Sequence, residues 1–450
     1  ERVGDLTTAS RAGRWKLSRV RLPAVLICGE VTSLPNAGED LFLADIVIAG
    51  SKIETIAPPG ALEAPAYDAK GGVVFPGLID CHTHLDKGHV WPRSRNEDGS
   101  FSSAIEAVAN DQGRFWTADD LRRRMNFAVA AAYAHGTVAI RTHLDCWPEA
   151  PYDPWSIFRG VAETWAGRVD LMAAALIGIA DVDDDAFMEH LVRQAKAADG
   201  AAIGAFVRAF PEDLAELPSR LDRFLRRAQE AGLPVDFHVD ETTDPASLGL
   251  RSVAEAVLRT SFDGPILCGH CVAPAGYEDN VLAETLDLAA SAGIGIVSLP
   301  LCNAYLLDRQ TGRTPQRRAM APVHEMRNAG IEVALGSDNT RDPFNAYGDL
   351  DLFEIYRFAT LTQHLDHPVG DWPAAITSTP AGHLGIGDRG RIAAGAAADL
   401  ILLSARGWSE LIARPQSDRI VLRNGLPLTV TAPEYGALDE LAGLDDLSSF

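Results

Sequence analysis

Two histidines spaced two residues apart close the apolar run Val73-Val74-Phe75-Pro76-Gly77-Leu78-Ile79-Asp80-Cys81-His82-Thr83-His84. Side chains on a strand alternate faces, so the imidazoles of His82 and His84 share one face while Cys81 and Thr83 take the other. Imidazoles placed in this way can converge on a metal ion, and such a site needs further donors from distant segments. Candidates stand at the ends of other apolar runs: His238 in Val235-Asp236-Phe237-His238-Val239-Asp240-Glu241, His270 in Cys268-Gly269-His270-Cys271, and Asp338 in Ala334-Leu335-Gly336-Ser337-Asp338-Asn339. Imidazoles with a carboxylate suit Zn2+ or Fe2+, with one position left to water. Glu241 follows His238 by three residues, which lets the loop after the strand return its carboxylate to the same place.

A lone buried histidine is ordinarily a hydrogen-bonded core group, and for His143 in Arg141-Thr142-His143-Leu144-Asp145 both readings stay open. Five polar groups that fall together at strand ends are a different matter, because each would cost stability if buried without a partner. His89, His135, His190, His324, His364, His367 and His383 lie in helical or loop contexts and read as surface or structural. Cys268 and Cys271 have the C-x-x-C spacing of a redox pair. Such a pair needs its first thiol at a helix N-terminus, and Cys268 lies inside an apolar strand pattern.

The elements that must position these residues alternate. Eight short β-branched or apolar runs, Val73–Leu85, Thr137–Asp145, Val169–Ile177, Ala201–Arg208, Pro234–Glu241, Pro265–Cys271, Gly293–Pro300 and Ile331–Asn339, are separated by helical patterns such as Ala118–His135, Pro218–Gly232 and Leu248–Thr260. This reads as a (β/α)8 TIM-type barrel over residues 73–389, whose strand ends converge on one mouth. An open doubly wound sheet is the alternative, and the clustering of candidate donors at strand ends argues against it. Short strand-like runs flank the barrel on both sides: Ala24–Ile27, Ile46–Ile48 and Ile53–Ile56 before it, Leu400–Leu403 and Ile420–Leu422 after it. Residues 1–72 and 390–450 are therefore expected to form one small, discontinuous β-sandwich domain, with the acidic stretch after Pro433 as a surface helix or a frayed tail.

The chain carries 40 Lys+Arg against 62 Asp+Glu, a net charge of −22, which repels phosphate backbones and anionic lipid. Nucleic acid and membrane partners are not expected; a small-molecule substrate is, and a homo-oligomer is compatible. No apolar run approaches the ~20 residues that span a bilayer, and the opening Glu-Arg-Val-Gly-Asp has no signal-peptide core. Six scattered cysteines suit a reducing compartment, so the expected location is cytoplasmic.

Several stretches together resemble the amidohydrolase superfamily and, within it, the bacterial cytosine deaminase-like group. They are Pro76-Gly77-Leu78-Ile79-Asp80-Cys81-His82-Thr83-His84-Leu85-Asp86-Lys87, Arg141-Thr142-His143-Leu144-Asp145, His238-Val239-Asp240-Glu241, Gly269-His270-Cys271, Gly336-Ser337-Asp338-Asn339 with Asp342-Pro343-Phe344, and Gly395-Ala396-Ala397-Ala398-Asp399-Leu400. The resemblance implies that His82, His84, His238 and Asp338 hold one divalent metal ion, Zn2+ or Fe2+. Glu241 would be the proton shuttle, His270 a hydrogen-bonding partner of the attacking water or the substrate, and Asp338 the acceptor of that water's proton. Many relatives hold two metals through a carboxylated lysine at the end of the fourth strand. The five lysines here are Lys16, Lys52, Lys70, Lys87 and Lys196, none of them in Ala201–Arg208, so a single metal is implied.

The implied reaction is hydrolytic deamination of a small aminated nitrogen heterocycle: cytosine-like, isocytosine, creatinine-like, triazine or pterin. Hydrolysis of a cyclic or N-substituted amide C–N bond is one alternative, and a catalytically silent relative kept for binding or assembly is another. In cytosine deaminase a glutamine at the end of the third strand reads the pyrimidine edge. The matching stretch Ala175-Leu176-Ile177-Gly178-Ile179 has no amide side chain, and Asn339 stands where that enzyme has an aspartate, so the resemblance does not carry cytosine itself. The loop from Lys87 to Asn96 has two readings, a flap over a bound ring or an ordinary surface loop.

Overall fold

The computed structural model describes residues 2–29, 33–148 and 150–443. Eight parallel strands carry the expected alternation: β1 Leu78–Thr83, β2 Thr137–Asp145, β3 Asp170–Gly178, β4 Ala202–Val207, β5 Val235–Val239, β6 Ile266–His270, β7 Gly295–Ser298 and β8 Val333–Leu335. Each pairs with its neighbours in sequence order, and a parallel bridge from Thr83 to Asp338 brings the end of β8 back to β1, as a (β/α)8 barrel requires. Strands of such a barrel are covered on both faces, which is why they read as continuous apolar runs: Thr137 to Leu144 of β2 are buried without a break. Every strand lies inside its expected run or within one residue of it.

The first run is the exception in kind. Val74–Pro76 is a separate strand that pairs antiparallel with Leu400–Leu402. Gly77 divides it from β1, and a Cβ there would sit 2.1 Å from Val138 Cγ1. Between β-strands the helices carry their own stop and start signals. Ser100 accepts from Ser103 N ahead of Phe101–Phe115, Asp153 caps Pro154–Trp165, and Leu217–Ala231 ends at Gly232 with φ +67°.

The chain packs as two compact units. The first comprises Glu1–Ile79, Ala131–Val138 and Asp351–Ala432. It holds one sheet built on Arg14–Pro23 and Leu41–Ala49 and another built on Val74–Pro76, Leu400–Leu402 and Ile420–Arg423. Trp15, Leu17, Leu22, Ile46 and Ile48 of the first sheet share a core with Val74, Leu400, Leu402 and Leu422 of the second. Ala24–Ile27, expected as a strand, is instead a single 3-10 turn over Ala24–Leu26, set by Pro23 before it. The second unit comprises Asp80–Ala130, Ala139–Leu350 and Pro433–Phe450, and it contains every candidate site residue. Beyond Pro433, Tyr435–Leu438 and Asp439–Ala442 form short helical turns, and the chain past 443 lies outside the described residues. No helix among the described residues is long and apolar enough to cross a membrane.

Candidate active site

The barrel brings the sequence candidates to one place. His82 is the penultimate residue of β1 and His84 follows its last; His238 is on β5, His270 ends β6, and Asp338 stands three residues past β8. All five are buried, with none more than 4% exposed. His84 Nε2 lies 3.1 Å from His238 Nε2 and 3.4 Å from Asp338 Oδ1, and His82 Nε2 lies 3.7 Å from the same oxygen. Donor atoms of His82, His238, His270 and Asp338 fall within 4.8 Å of one another, and His84 joins them through Nε2. His270 Nδ1 is 3.6 Å from Glu241 Oε1, so the Glu241 carboxyl and the imidazole of β6 are neighbours.

This donor set fits a divalent cation. His82 Nε2 and both oxygens of Asp338 are buried without a hydrogen-bond partner, a costly arrangement for polar atoms unless a cation completes it. Burial, and after it the crowding of the other imidazoles, with Lys87 adding to it at His82 and His84, holds His82, His84 and His238 well below the ordinary histidine range, so they are neutral and able to ligate. Burial first, and the charge of Asp338 second, push the Glu241 carboxyl up. The backbone supports the assignment independently. Asp338 and His270 sit at φ +60° and +68°, a conformation that non-glycine residues hold only where the surroundings enforce it, and such strain gathers at functional sites. Asp338 is pinned there by its N–H to His82 O at 2.9 Å and by Thr83 Oγ1 donating to its carbonyl at 2.9 Å.

Several supporting residues were not singled out from the sequence. Asn303, on the short helix Pro300–Leu306 after β7, contacts His270 Nδ1 through Nδ2 at 2.9 Å. An amide nitrogen only donates, so neutral His270 carries its proton on Nε2, the nitrogen left without a partner. Asp80 accepts from the Ser337 hydroxyl and backbone N–H and from His82 N, tying β1 to the segment after β8. His143, left open by the sequence, lies behind His82: its Nε2 is 3.2 Å from His82 Nδ1 and 3.7 Å from Asp236 Oδ1, and Arg141 pairs with Asp236 at 3.3 Å. Cys268 and Cys271 are buried and burial raises both thiols well above their usual value, as inert core cysteines.

The loop from Lys87 to Asn96 is no flap. His89, Val90 and Asn96 are buried, His89 N donates to Thr340 O at 3.0 Å and Trp91 N to Arg341 O at 2.8 Å. Only Lys87 of this loop reaches the cavity. Burial works against its charge, but Asp145 at 2.8 Å and Asp86 outweigh it and hold the ammonium above its ordinary pKa. The cavity at the mouth has a volume of about 380 Å³, with Glu241, His84, His238 and His270 at its floor and a largely apolar wall. The wall comes from Phe101, Ile105, Val108 and Gln112 of Phe101–Phe115, with Phe206 and Phe344. The amide of Gln112 is engaged within the protein, its Nε2 donating to Asp145 Oδ2 at 3.0 Å.

Close packing under His82 gives a first prediction. A Cβ on Gly269 would lie 2.5 Å from His82 Cε1, a distance that the ring can relieve only by moving. Gly269→Ala is expected to cost about 1–3 kcal/mol, read as a lowered midpoint of denaturant unfolding with an unchanged slope. An unchanged midpoint would mean that the ring is freer than its buried surroundings indicate.

Residues 119–430 match the amidohydrolase family. The chain belongs to the amidohydrolase family. Over 434 residues it is 45% identical to a pterin deaminase of Rhizobium rhizogenes, covering 96% of this chain and 98% of that protein. It is 24% identical to the N-isopropylammelide isopropyl amidohydrolase of a Pseudomonas species, over 85% of this chain and 92% of that one. The fold is similar to that of 5-methylcytosine deaminase from Klebsiella pneumoniae, solved with 5-fluorocytosine: TM-score 0.76, 23% identity, 93% of this chain and 98% of that chain. The family match begins beyond His82 and His84, so the β1 pair of this amidohydrolase rests on the geometry above.

Proposed function

We propose that this amidohydrolase removes the exocyclic amino group of a pterin by hydrolysis, giving ammonia and a ring carbonyl. It is a hydrolytic deaminase of a small aminated heterocycle, and the observation that carries the pterin reading is the 45% identity to a pterin deaminase along nearly the whole of both chains. The cavity agrees with it, since aromatic walls and few polar groups suit a flat fused ring.

In this reading His82, His84, His238 and Asp338 would hold one divalent metal ion. Nitrogen and oxygen donors of this kind admit Zn2+ and Fe2+ alike. When bound, the ion supplies the Lewis acidity that makes water a nucleophile near neutral pH. The remaining steps belong to the protein. Asp338 takes the proton of the attacking water. Glu241 protonates the ring nitrogen beside the attacked carbon, so that negative charge does not build up on the ring. His270, its proton held on Nε2 by Asn303, donates a hydrogen bond to the oxygen being added. The same acids return a proton to the amine, which leaves as ammonia while the C–O bond becomes a carbonyl. The apolar wall keeps other water from the ring.

The test is ammonia release from pterin by protein loaded with Zn2+ or Fe2+, alongside cytosine, isocytosine, creatinine and amino-triazines. Turnover of pterin at least tenfold more efficient than that of any other supports the reading. Metal-loaded protein that deaminates a different ring and leaves pterin intact overturns it, and product without ammonia would point to cleavage of another C–N bond.

His143 enters here as a positioning residue. Its Nε2 meets His82 Nδ1 at 3.2 Å, the arrangement by which an outer partner fixes a ligand imidazole. His143→Leu is expected to weaken metal retention by about 10- to 100-fold in chelator competition. Unchanged retention would reduce His143 to a packing role.

A further inference from the structure

We propose that Arg208 reads a carboxylate on the substrate's ring remote from the amino group, so that the preferred substrate is an anionic pteridine. The inference rests on the pterin reading above and deepens it.

Phe206 of β4 is in register with His238 of β5, and both line the cavity. Arg208 is two residues further along. At a rise of ~3.3 Å per residue this carries it about 7 Å beyond the level of His238, toward the mouth, on the side of the chain that Phe206 faces. Its guanidinium lies over two cavity rings at once, 4.9 Å from the centroid of Phe101 and 4.9 Å from that of Phe206. Those rings stack on each other at 5.8 Å with 24° between their planes. Stacking fixes the plane of a guanidinium while leaving its edge N–H groups available. Among the described residues, no carboxylate pairs with Arg208 and no acceptor takes its N–H groups, whereas Lys87, which lines the cavity, is committed to Asp145 at 2.8 Å. Its charge reaches Glu241, whose carboxyl it helps to hold down against burial, but no carboxylate contacts it, so its N–H fork is open to an anion from outside.

The geometry of the reaction says which anion. The carbon losing its amine must lie against Glu241 and Asp338 at the floor. The second ring of a fused bicycle then extends toward the mouth, and a substituent on it reaches the level of Arg208. The planar fork of a guanidinium matches a carboxylate in two parallel hydrogen bonds. A neutral substituent would leave that fork to water.

The experiment compares pterin, 6-hydroxymethylpterin and pterin-6-carboxylate as substrates of the metal-loaded wild type, Arg208→Met and Arg208→Lys. Methionine keeps an apolar stem against the two rings and removes the charge. The ratio of kcat/KM for the carboxylate over the hydroxymethyl compound is expected to exceed one in the wild type. It should fall about 10- to 100-fold in Arg208→Met, the span for loss of a charge-assisted hydrogen bond, and recover in part in Arg208→Lys. A merely structural role would depress all three substrates together and leave the ratio alone. Fluorescence titration of pterin-6-carboxylate into Glu241→Gln protein, with and without Arg208→Met, should show the same factor in Kd without turnover. A ratio within twofold of the wild-type value, or a wild type that prefers the neutral compound, overturns the inference while leaving pterin deamination standing. Failure of the loaded wild type to release ammonia from any of the three overturns the pterin reading itself.

Discussion

Glu241→Gln is expected to lower kcat by about a thousandfold while leaving metal content and thermal midpoint near those of the wild type, within the span attributed to a positioned general acid–base group. Glutamine keeps the shape and one acceptor of the side chain and loses only the proton that glutamic acid can give and take back. Glu241 is 5% exposed, sits 3.6 Å from His270 Nδ1 and faces the cavity, so no other carboxyl there replaces it without moving. Asp338 is the nearest alternative, but in the proposed chemistry it is occupied with the proton from water. Two measurements check the expectation together: ammonia release under saturating pterin, and metal per chain after gel filtration. Activity within tenfold of the wild type would remove Glu241 from the shuttle role. Loss of both metal and activity would make Glu241 a ligand instead, and the proposed division of labour would have to be redrawn.

The barrel strands were legible because burial on both faces leaves a simple signature, apolar runs bounded by Pro and Gly. The flanking sheets lack that signature. Arg14–Pro23, the longest strand, was missed because its sequence Arg-Trp-Lys-Leu-Ser-Arg-Val-Arg-Leu-Pro places a charge at nearly every second position. A register shift between Leu17 and Val20, with Arg19 at φ +54°, then breaks the alternation that would have revealed it. Val74–Pro76 was fused with β1 because apolar continuity says nothing about which partner a strand takes. Ala24–Ile27 is equally apolar, yet Pro23 fixes its entry and it turns instead of extending.

The site divides along similar lines. Histidines and carboxylates at strand ends could be found from type and position, since a barrel of this kind has one mouth and strand ends point to it. Asn303, Asp236 and Gln112 could not. Each acts through a contact between segments far apart in sequence: 33 residues for Asn303 with His270, 95 for Asp236 with Arg141, 33 for Gln112 with Asp145. The helix Phe101–Phe115 is amphipathic in an ordinary way, and nothing in that pattern says that part of its surface walls a cavity.

Asp338→Gly is expected to abolish metal binding, and the choice of glycine matters. Asp338 holds φ +60°, where alanine would add backbone strain and confuse loss of a ligand with loss of the fold, whereas glycine accepts that conformation freely. In the wild type, a ligand present at a thousand times its Kd stabilises the folded state by about 4 kcal/mol. Stripping the metal with a chelator should therefore lower the wild-type thermal midpoint by several degrees, and the same chelator should leave Asp338→Gly where it was. The metal-free proteins should differ little, because the carboxylate removed is fully buried, with neither oxygen held by a nitrogen or oxygen donor, and contributes strain as well as contacts. Stoichiometric metal in Asp338→Gly would take Asp338 out of the ligand set. The acceptor of the water's proton would then have to be sought among His270 and Glu241, the two titratable groups at the cavity floor that are not proposed as ligands.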